Sequence, residues 1–434
     1  MLPQRPNFRR NEHGDVSAPP LFPDVKSVLF INRVYPPDEG ATGQLLAELV
    51  EGLIREGWTV TVVAAGGAPR GQPTRSDGTN SQSMADSSLR SNGFVHRVRS
   101  LPFTRSALWK RAFSYASLYP AIFWRVMRLP RHDVVVTLTD PPMQLTLGPL
   151  IKLFKRSRLV HWAQDLYPEV AEELKVLRRK GAVASTLRRA STWSLQRYDA
   201  IVAVGSCMKT RFKQRGFDDL QITVIPNWSL AQNGDAPPDA SGFRKAHRWE
   251  DRFVVMYSGN LGLAHPFKGI IHAIHSLRVR QPGILFVLVG QGPQLAAVRE
   301  KLGDADNVQL LPHQPIASLA SSLRAADVHL ATMFERTCGL VVPSKVYGII
   351  TAERPCVFLG PGESEGARLL MKNGCGVVLP SWDGEALANL LVEWSEKPSL
   401  MNLMRENARR VAPQLGLRPA LLAFQQVLAP KEGT

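Results

Sequence analysis

The chain has 434 residues, 44% of them apolar, and its 53 Lys and Arg outnumber 37 Asp and Glu for a net charge of +16. That length and apolar content exclude a disordered polymer and favour two globular domains over one. No run of about 18 uncharged apolar residues occurs, which argues against a membrane-spanning helix. The first residues lack the apolar centre of a signal peptide, so a cytoplasmic location is expected. The four cysteines, Cys207, Cys338, Cys356 and Cys375, show no CxxC or Cys/His spacing; they are expected to be reduced core thiols, outside any zinc site or disulfide framework.

In chain order, the Pro-rich residues 1–24 read as an unstructured tail. Residues 27–65 read as strand, turn-rich loop, amphipathic helix and strand, with Leu45, Leu46, Leu49, Val50, Leu53 and Ile54 at helical spacing and Gly57 as the stop. Residues 66–93, rich in Gly, Ser, Asn and Pro, read as an exposed loop. Between Asp86 and Asp133 there is no carboxylate, while Arg97, Arg111, Arg125, Arg128 and Arg131 alternate with Phe113, Trp124 and Met127. Lys152, Lys155, Arg156 and Arg158 form a second acid-free stretch. Basic and aromatic interleaving of this kind suits helices lying on an anionic membrane surface, because an ordinary solvated face mixes both charge signs. An ordinary basic helix face is the plainer alternative, and nucleic acid is not expected as a partner because no binding motif accompanies the charge.

Apolar runs at 134–138, 159–163, 201–204 and 222–225, separated by helical patterns, complete a parallel α/β domain over residues 25–225. Turn formers and charge over 226–250 read as a linker. The second domain, 251–415, repeats the alternation with strands near Val254, Leu285, Val308, Val328, Val357 and Val377. The last segment, 416–434, holds a helix suited to packing back on the first domain. The expected fold class is α/β: two Rossmann-like, doubly wound parallel-sheet domains facing a cleft, with ligands beyond the carboxyl ends of the strands.

Three glycine loops, GATG from Gly40, GNLG from Gly259 and GQGP from Gly290, each follow a strand and precede a helix. None has the G-x-G-x-x-G spacing and no P-loop is present, which disfavours NAD binding and ATP hydrolysis. Several helix starts around one cleft still suit a diphosphate, since they present unpaired N–H groups. In GLVVPSKVYG, Pro343 fits the first helical turn and leaves the next amides to meet phosphate beside the Lys345 ammonium. LVHWAQDLYPE places His161, Gln164, Asp165 and Glu169 at a strand end, where buried titratable groups are functional candidates. The spaced acids Asp304 and Asp306 sit between helix and strand and read as a turn, so no metal is predicted.

Together, VYPPDEGATGQLLAELVEGL, HWAQDLYPE, VIPNW, YSGNLG, VLVGQGP and VPSKVYG resemble the nucleotide-sugar glycosyltransferases of family 4, over about residues 27–425. The resemblance implies the two-domain GT-B architecture and transfer of a sugar from a nucleotide diphosphate sugar as substrate, with retention, without a cofactor and without a metal in the chemistry. It implies diphosphate near Asn260, His265, Ser344 and Lys345, with the base near Gly290, Gly292 and the backbone at Pro312 and His313. It also implies an acceptor entering past Glu39, Gly40 and the basic helices. Asp165 or Gln164 would orient the reacting hydroxyl, with His161 nearby. Many family members carry two glutamates where this chain has Leu340 and Gly348, and an Arg and Lys where it has Asn260 and His265. Those departures shift the neutralising role to Lys345 and Lys268 and make Glu335 the candidate replacement carboxylate. A branch acting on a lipid-linked saccharide acceptor in capsule or exopolysaccharide assembly fits both the departures and the basic helices. A nucleotide-sugar 2-epimerase and a non-catalytic partner in saccharide assembly stand as alternatives.

Overall fold

The computed structural model describes residues 27–38, 40–66, 92–99, 108–179, 181–230 and 239–429. The expected tail, most of the 66–93 loop and Glu39 lie outside the described residues.

Seven strands form the first sheet: β1 (Ser27–Ile31), β2 (Thr59–Ala65), β3 (Gly93–Val98), β4 (Val134–Thr137), β5 (Arg158–Ala163), β6 (Ala200–Ala203) and β7 (Ile222–Val224). Six form the second: β8 (Phe253–Ser258), β9 (Ile284–Val289), β10 (Val308–Leu311), β11 (Val328–Thr332), β12 (Cys356–Leu359) and β13 (Gly376–Leu379). Their orders are β3-β2-β1-β4-β5-β6-β7 and β10-β9-β8-β11-β12-β13, parallel throughout. Helices cover both faces, so central strands such as VVVT in β4 and ILFVLV in β9 are buried at every position. The chain reverses its direction of winding between β1 and β4 and again between β8 and β11, the positions beyond whose carboxyl ends open α/β sheets bind ligands.

Three local findings differ from the sequence expectations. Gly93–Val98 is a strand, of which only Gly93 falls in the expected 66–93 loop; as an edge strand it keeps only Val95 and Val98 buried, so no strong apolar run announced it. The segment expected as linker over 226–250 contains the helix Ala240–His247, capped by Asp239, whose carboxylate accepts from the amides of Ser241 and Gly242 at 2.8 and 3.3 Å. Trp249 follows it into the second lobe's core, fully buried beside Val254 and Met256. The helix following β11 starts at Lys345, so Pro343 precedes the helix instead of sitting in its first turn.

The helix Leu417–Leu428 returns to the first lobe, as its sequence suggests. Phe424 meets the Trp162 ring edge-on at 4.7 Å, and Trp162 stacks on Trp228 at 5.9 Å. Gly52 lets this helix approach, since a Cβ there would stand 3.1 Å from Leu421. The described cysteines are all free and buried.

In the basic region, Leu118, Ile122 and Val126 recur every fourth residue along the helix Leu108–Arg128 and are almost fully buried. Trp124 lies on its outer face, 60% exposed. Phe123 bridges Trp124 and Phe154, with ring centroids 5.9 and 6.2 Å apart. Leu150, Leu153 and Phe154 of the helix Gly148–Lys155 are also exposed. Some of the expected surface cations have tertiary work: Lys155 donates to the carbonyls of Met127 and Leu129, and Lys152 pairs with Asp199 at 2.6 Å. Arg128, Arg131 and Arg156 remain exposed.

Candidate functional site

At the second of these positions, Tyr257 near the end of β8 is buried and donates its hydroxyl hydrogen to Asn260 O at 2.9 Å. Lys345 donates from Nζ to the Tyr257 oxygen, and that nitrogen lies 3.8 Å from the ring centroid. One tyrosine therefore holds the lysine by hydrogen bond and by the negative face of its ring. Burial pushes the Lys345 ammonium down to about 7, because a charged amine loses hydration there without gaining a carboxylate partner. Such a site is short of negative charge, and a bound phosphate would supply it.

The loops around this lysine are locked together through backbone. A Cβ on Gly290 would fall 2.1 Å from Gly259 O, and one on Gly292 would fall 2.4 Å from Leu261 O. Both residues have positive φ, 138° and 155°, so glycine is required twice over. What these glycines accommodate in the described structure is the neighbouring loop, reinforced by Leu261 N donating to Gln291 O at 2.8 Å. Gly259, at φ 141°, brings its backbone against the Lys345 side chain, with Nζ only 3.4 Å from a built Cβ.

His265 sits beside the lysine, its Nδ1 2.5 Å from Thr332 O. A carbonyl can only accept, so Nδ1 carries the hydrogen and Nε2 is an acceptor in the neutral ring. Burial and the Lys345 charge push this imidazole down to about 3, so at neutral pH it does not serve as a cation for diphosphate. Ser344 immediately precedes the lysine helix and makes no side-chain cap bond. Lys268 starts the helix Lys268–Arg280 and is exposed. Glu335 is exposed and accepts from Ser381 Oγ at 3.0 Å, and His313 is exposed in the loop after β10.

On the facing lobe, Asp165 follows β5. Burial, then the nearby Asp140 charge, push its carboxyl up to about 7. Asp140 follows β4 and takes a bidentate pair from Arg33, with both N–O distances 2.7 Å. The Leu166 amide donates to Leu340 O at 2.8 Å, and Asp165 bridges antiparallel to Val341. The strip that begins at Cys338 and ends at Lys345 thus joins both lobes.

Two residues expected in the reaction lie elsewhere. His161 is inside the sheet, 2% exposed, with Nδ1 3.0 Å from Thr137 Oγ1 and its ring against Tyr198. Strand alternation directs it into the packed face, away from the strand end where Asp165 lies, and burial keeps it neutral. Gln164 exchanges two hydrogen bonds with Asn227, at 3.0 and 2.9 Å, both side chains buried. Its amide ties β5 to the chain leaving β7. Glu169 is turned to Arg215 at 3.5 Å. Gly40 precedes the helix Ala41–Arg55 and packs on Val34, 2.9 Å from a built Cβ. Sequence reasoning missed Tyr257, Asp140 and Arg33. Asp140 carried the same signal as Asp165, a carboxylate just beyond an apolar strand; the other two had none.

Among the described residues, no group of three or more His, Cys, Asp or Glu is placed to hold a metal ion, and no helix is long and apolar enough to cross a membrane.

Residues 40–228 match the glycosyl transferase 4-like domain and residues 240–411 match the glycosyl transferases group 1 domain. WbjE of Pseudomonas aeruginosa, described as a glycosyltransferase, is 28% identical over 65% of this chain and 71% of its own length. WcaI of Escherichia coli strain K12, described as a colanic acid biosynthesis glycosyl transferase, is 25% identical over 76% of this chain and 82% of its own. Among solved structures, HepE of Anabaena in complex with UDP-glucose superposes with a TM-score of 0.67 at 18% identity, covering 93% of this chain and 99% of that one. WaaG, a glycosyltransferase involved in lipopolysaccharide biosynthesis, does so with a TM-score of 0.63 at 18% identity, covering 93% and 100%. The structural likeness shows a shared fold, and the two matched domains, which between them span most of the chain, show that it belongs to the glycosyltransferases of family 4 with the GT-B architecture.

Proposed function

We propose that the protein transfers a sugar from a nucleotide diphosphate donor to a lipid-linked saccharide acceptor at a membrane surface, in the assembly of a cell-surface polysaccharide. The observation that carries this reading is the Lys345 amine, held on Tyr257 where the strand order switches between β8 and β11, with no carboxylate hydrogen-bonded to it among the described residues. As the glycosidic bond breaks, negative charge builds on the departing diphosphate. A preplaced ammonium stabilises that charge more than it stabilises the intact donor, which lowers the barrier. In a retaining, metal-independent course the leaving phosphate takes the acceptor proton, so Asp165 is assigned to orienting the acceptor or sugar hydroxyl from the facing lobe. The donor bound by HepE makes UDP-glucose the first to test, and the described role of WcaI supports polysaccharide assembly.

The membrane part rests on Trp124, Leu150, Leu153 and Phe154, exposed beside Arg128, Arg131 and Arg156 on the first lobe. Aromatic side chains with basic neighbours favour a lipid interface with anionic headgroups, on the inner face of the membrane for a cytoplasmic enzyme.

Incubation with radiolabelled nucleotide sugars and membranes tests the whole reading. Transfer of label to a lipid-extractable product is expected. Conversion of the nucleotide sugar with no acceptor would instead indicate an epimerase, and no nucleotide binding at all would leave a scaffold.

A further inference from the structure

The two lobes meet at a pair of thiols. Cys207 is the second residue of the helix Ser206–Gln214 in the first lobe, and Cys338 follows the turn Glu335–Thr337 in the second. Both side chains belong to one buried apolar cluster. The backbones around them are also in contact: Arg211 Nε donates to Cys338 O at 3.0 Å, and a Cβ on Gly339 would stand 2.6 Å from Cys207 O. With φ at 75°, Gly339 is left-handed, so this close crossing depends on glycine. Next to the thiols, Glu365 of the second lobe accepts from Ser206 N at 2.6 Å and from Ser206 Oγ at 2.7 Å.

We propose that Cys207 and Cys338 are a peroxide-sensitive pair whose disulfide fastens the two lobes together.

The chemistry is divided between them. Cys207 lies at a helix start, where backbone N–H groups favour a thiolate. The neighbouring Cys338 side chain, then the backbone at Glu365 and Met208, lower the Cys207 thiol to about 7 against burial, while the same neighbour and burial push Cys338 up. Cys207 is therefore the nucleophile and Cys338 the protonated partner. The Cys207 sulfur attacks one oxygen of hydrogen peroxide, the O–O bond breaks, and the departing hydroxide leaves as water with the Cys207 proton. The resulting sulfenic acid is then attacked by the Cys338 sulfur. The S–S bond forms, the S–O bond breaks, and hydroxide leaves with the Cys338 proton as a second water. Two thiols and one peroxide give one disulfide and two waters. Cys207 and Cys338 are only 7% and 6% exposed, but they lie on the seam, so separation of the lobes uncovers Cys207 and reclosure delivers Cys338. Cys356 and Cys375 are internal controls: both are fully buried within the second lobe, and burial pushes both thiols up, Cys375 to about 11.

The functional consequence follows from what Cys338 leads into. Leu340 holds Leu166, Val341 bridges Asp165, and Lys345 starts the helix beyond. A covalent tie at the head of this strip stops lobe opening and with it exchange of nucleotide; this last step rests on the proposed function, whereas the cross-link does not.

The test is to treat the full chain with hydrogen peroxide, trap remaining thiols by alkylation under denaturing conditions, and map peptides by mass spectrometry, reading turnover in parallel. A Cys207–Cys338 cross-linked peptide is expected, with turnover reduced by roughly tenfold or more and restored by dithiothreitol. Cys207→Ser and Cys338→Ser should retain turnover after the same treatment. Oxidation of Cys207 without a cross-link, or cross-links through Cys356 or Cys375, would overturn the pair. Full turnover by the cross-linked form would overturn the lock. The peptide map reads the wild-type chain whether or not the proposed donor is correct.

Discussion

The Leu166 amide gives its hydrogen to the carbonyl of Leu340 at 2.8 Å, joining the end of β5 to the strip that runs into the lysine helix. Asp165 and Lys345, one on each lobe, are therefore placed by a single backbone connection. The acid and the amine have opposite titration problems, both set first by burial: the carboxyl is pushed up to about 7 and the ammonium down to about 7.

Lys345→Met separates the activity of the lysine from its cost to the fold. Transfer should fall by roughly 100-fold or more, the scale of losing a preplaced donor to a developing anion. Stability should rise. The unfolded chain keeps this proton up to the ordinary lysine value of 10.5, and the folded protein releases it near 7. Between those values the unfolded state binds more protons, so wild-type stability climbs with pH across the window. The melting temperature of Lys345→Met should exceed wild type most at and below neutral pH, and the gap should close towards pH 10.5. A variant that melts lower throughout would contradict the assigned burial.

Asp165 gives the reverse dependence. Its folded carboxyl takes its proton near 7 and its unfolded one near 3.8, so the folded state binds more protons in between and wild-type stability falls as pH rises through that range. Asp165→Asn should stabilise the protein above neutral pH and leave it unchanged near pH 4. Asp140→Asn removes the like charge that helps hold the Asp165 carboxyl up, so the acidic limb of the activity profile should move to lower pH. An unmoved limb in transfer assays would remove Asp165 from the reaction.

Gly290→Ala tests the locked loops. The added methyl meets a backbone oxygen that cannot rotate away, and the positive φ adds strain of roughly 1–3 kcal/mol. Chemical denaturation should show that loss, and nucleotide affinity should fall with it because Gly259 of the same loop pair abuts Lys345.

Much of the fold was legible because both sheets are buried on two faces, which turns strands such as β9 and β12 into unbroken apolar runs. β3 was not, since an edge strand with His96 and Arg97 in the middle needs no such run. Among the candidate residues, Asp165 could be read from its place after a strand and Lys345 from its place at a helix start. Tyr257 could not, because its role is a contact between residues far apart in sequence. His161 was misplaced for a local reason: it is still inside β5, where alternation fixes its face, whereas Asp165 lies beyond the strand end.

The exposed aromatics make a separate claim. Trp124→Ser with Phe154→Ser should weaken sedimentation with vesicles containing anionic lipid while leaving soluble nucleotide binding intact, and added salt should weaken wild-type binding in the same assay. Equal sedimentation of variant and wild type would place the contact elsewhere.

The central claim is that the Lys345 amine awaits the charge of a diphosphate. Calorimetry of UDP binding at about pH 8, repeated in buffers of different ionisation enthalpy, counts the protons exchanged. The account predicts that wild type takes up a proton as the diphosphate raises the lysine back towards its ordinary value, and that Lys345→Met binds more weakly without that uptake. Equal affinity and equal proton uptake in the two proteins would contradict it.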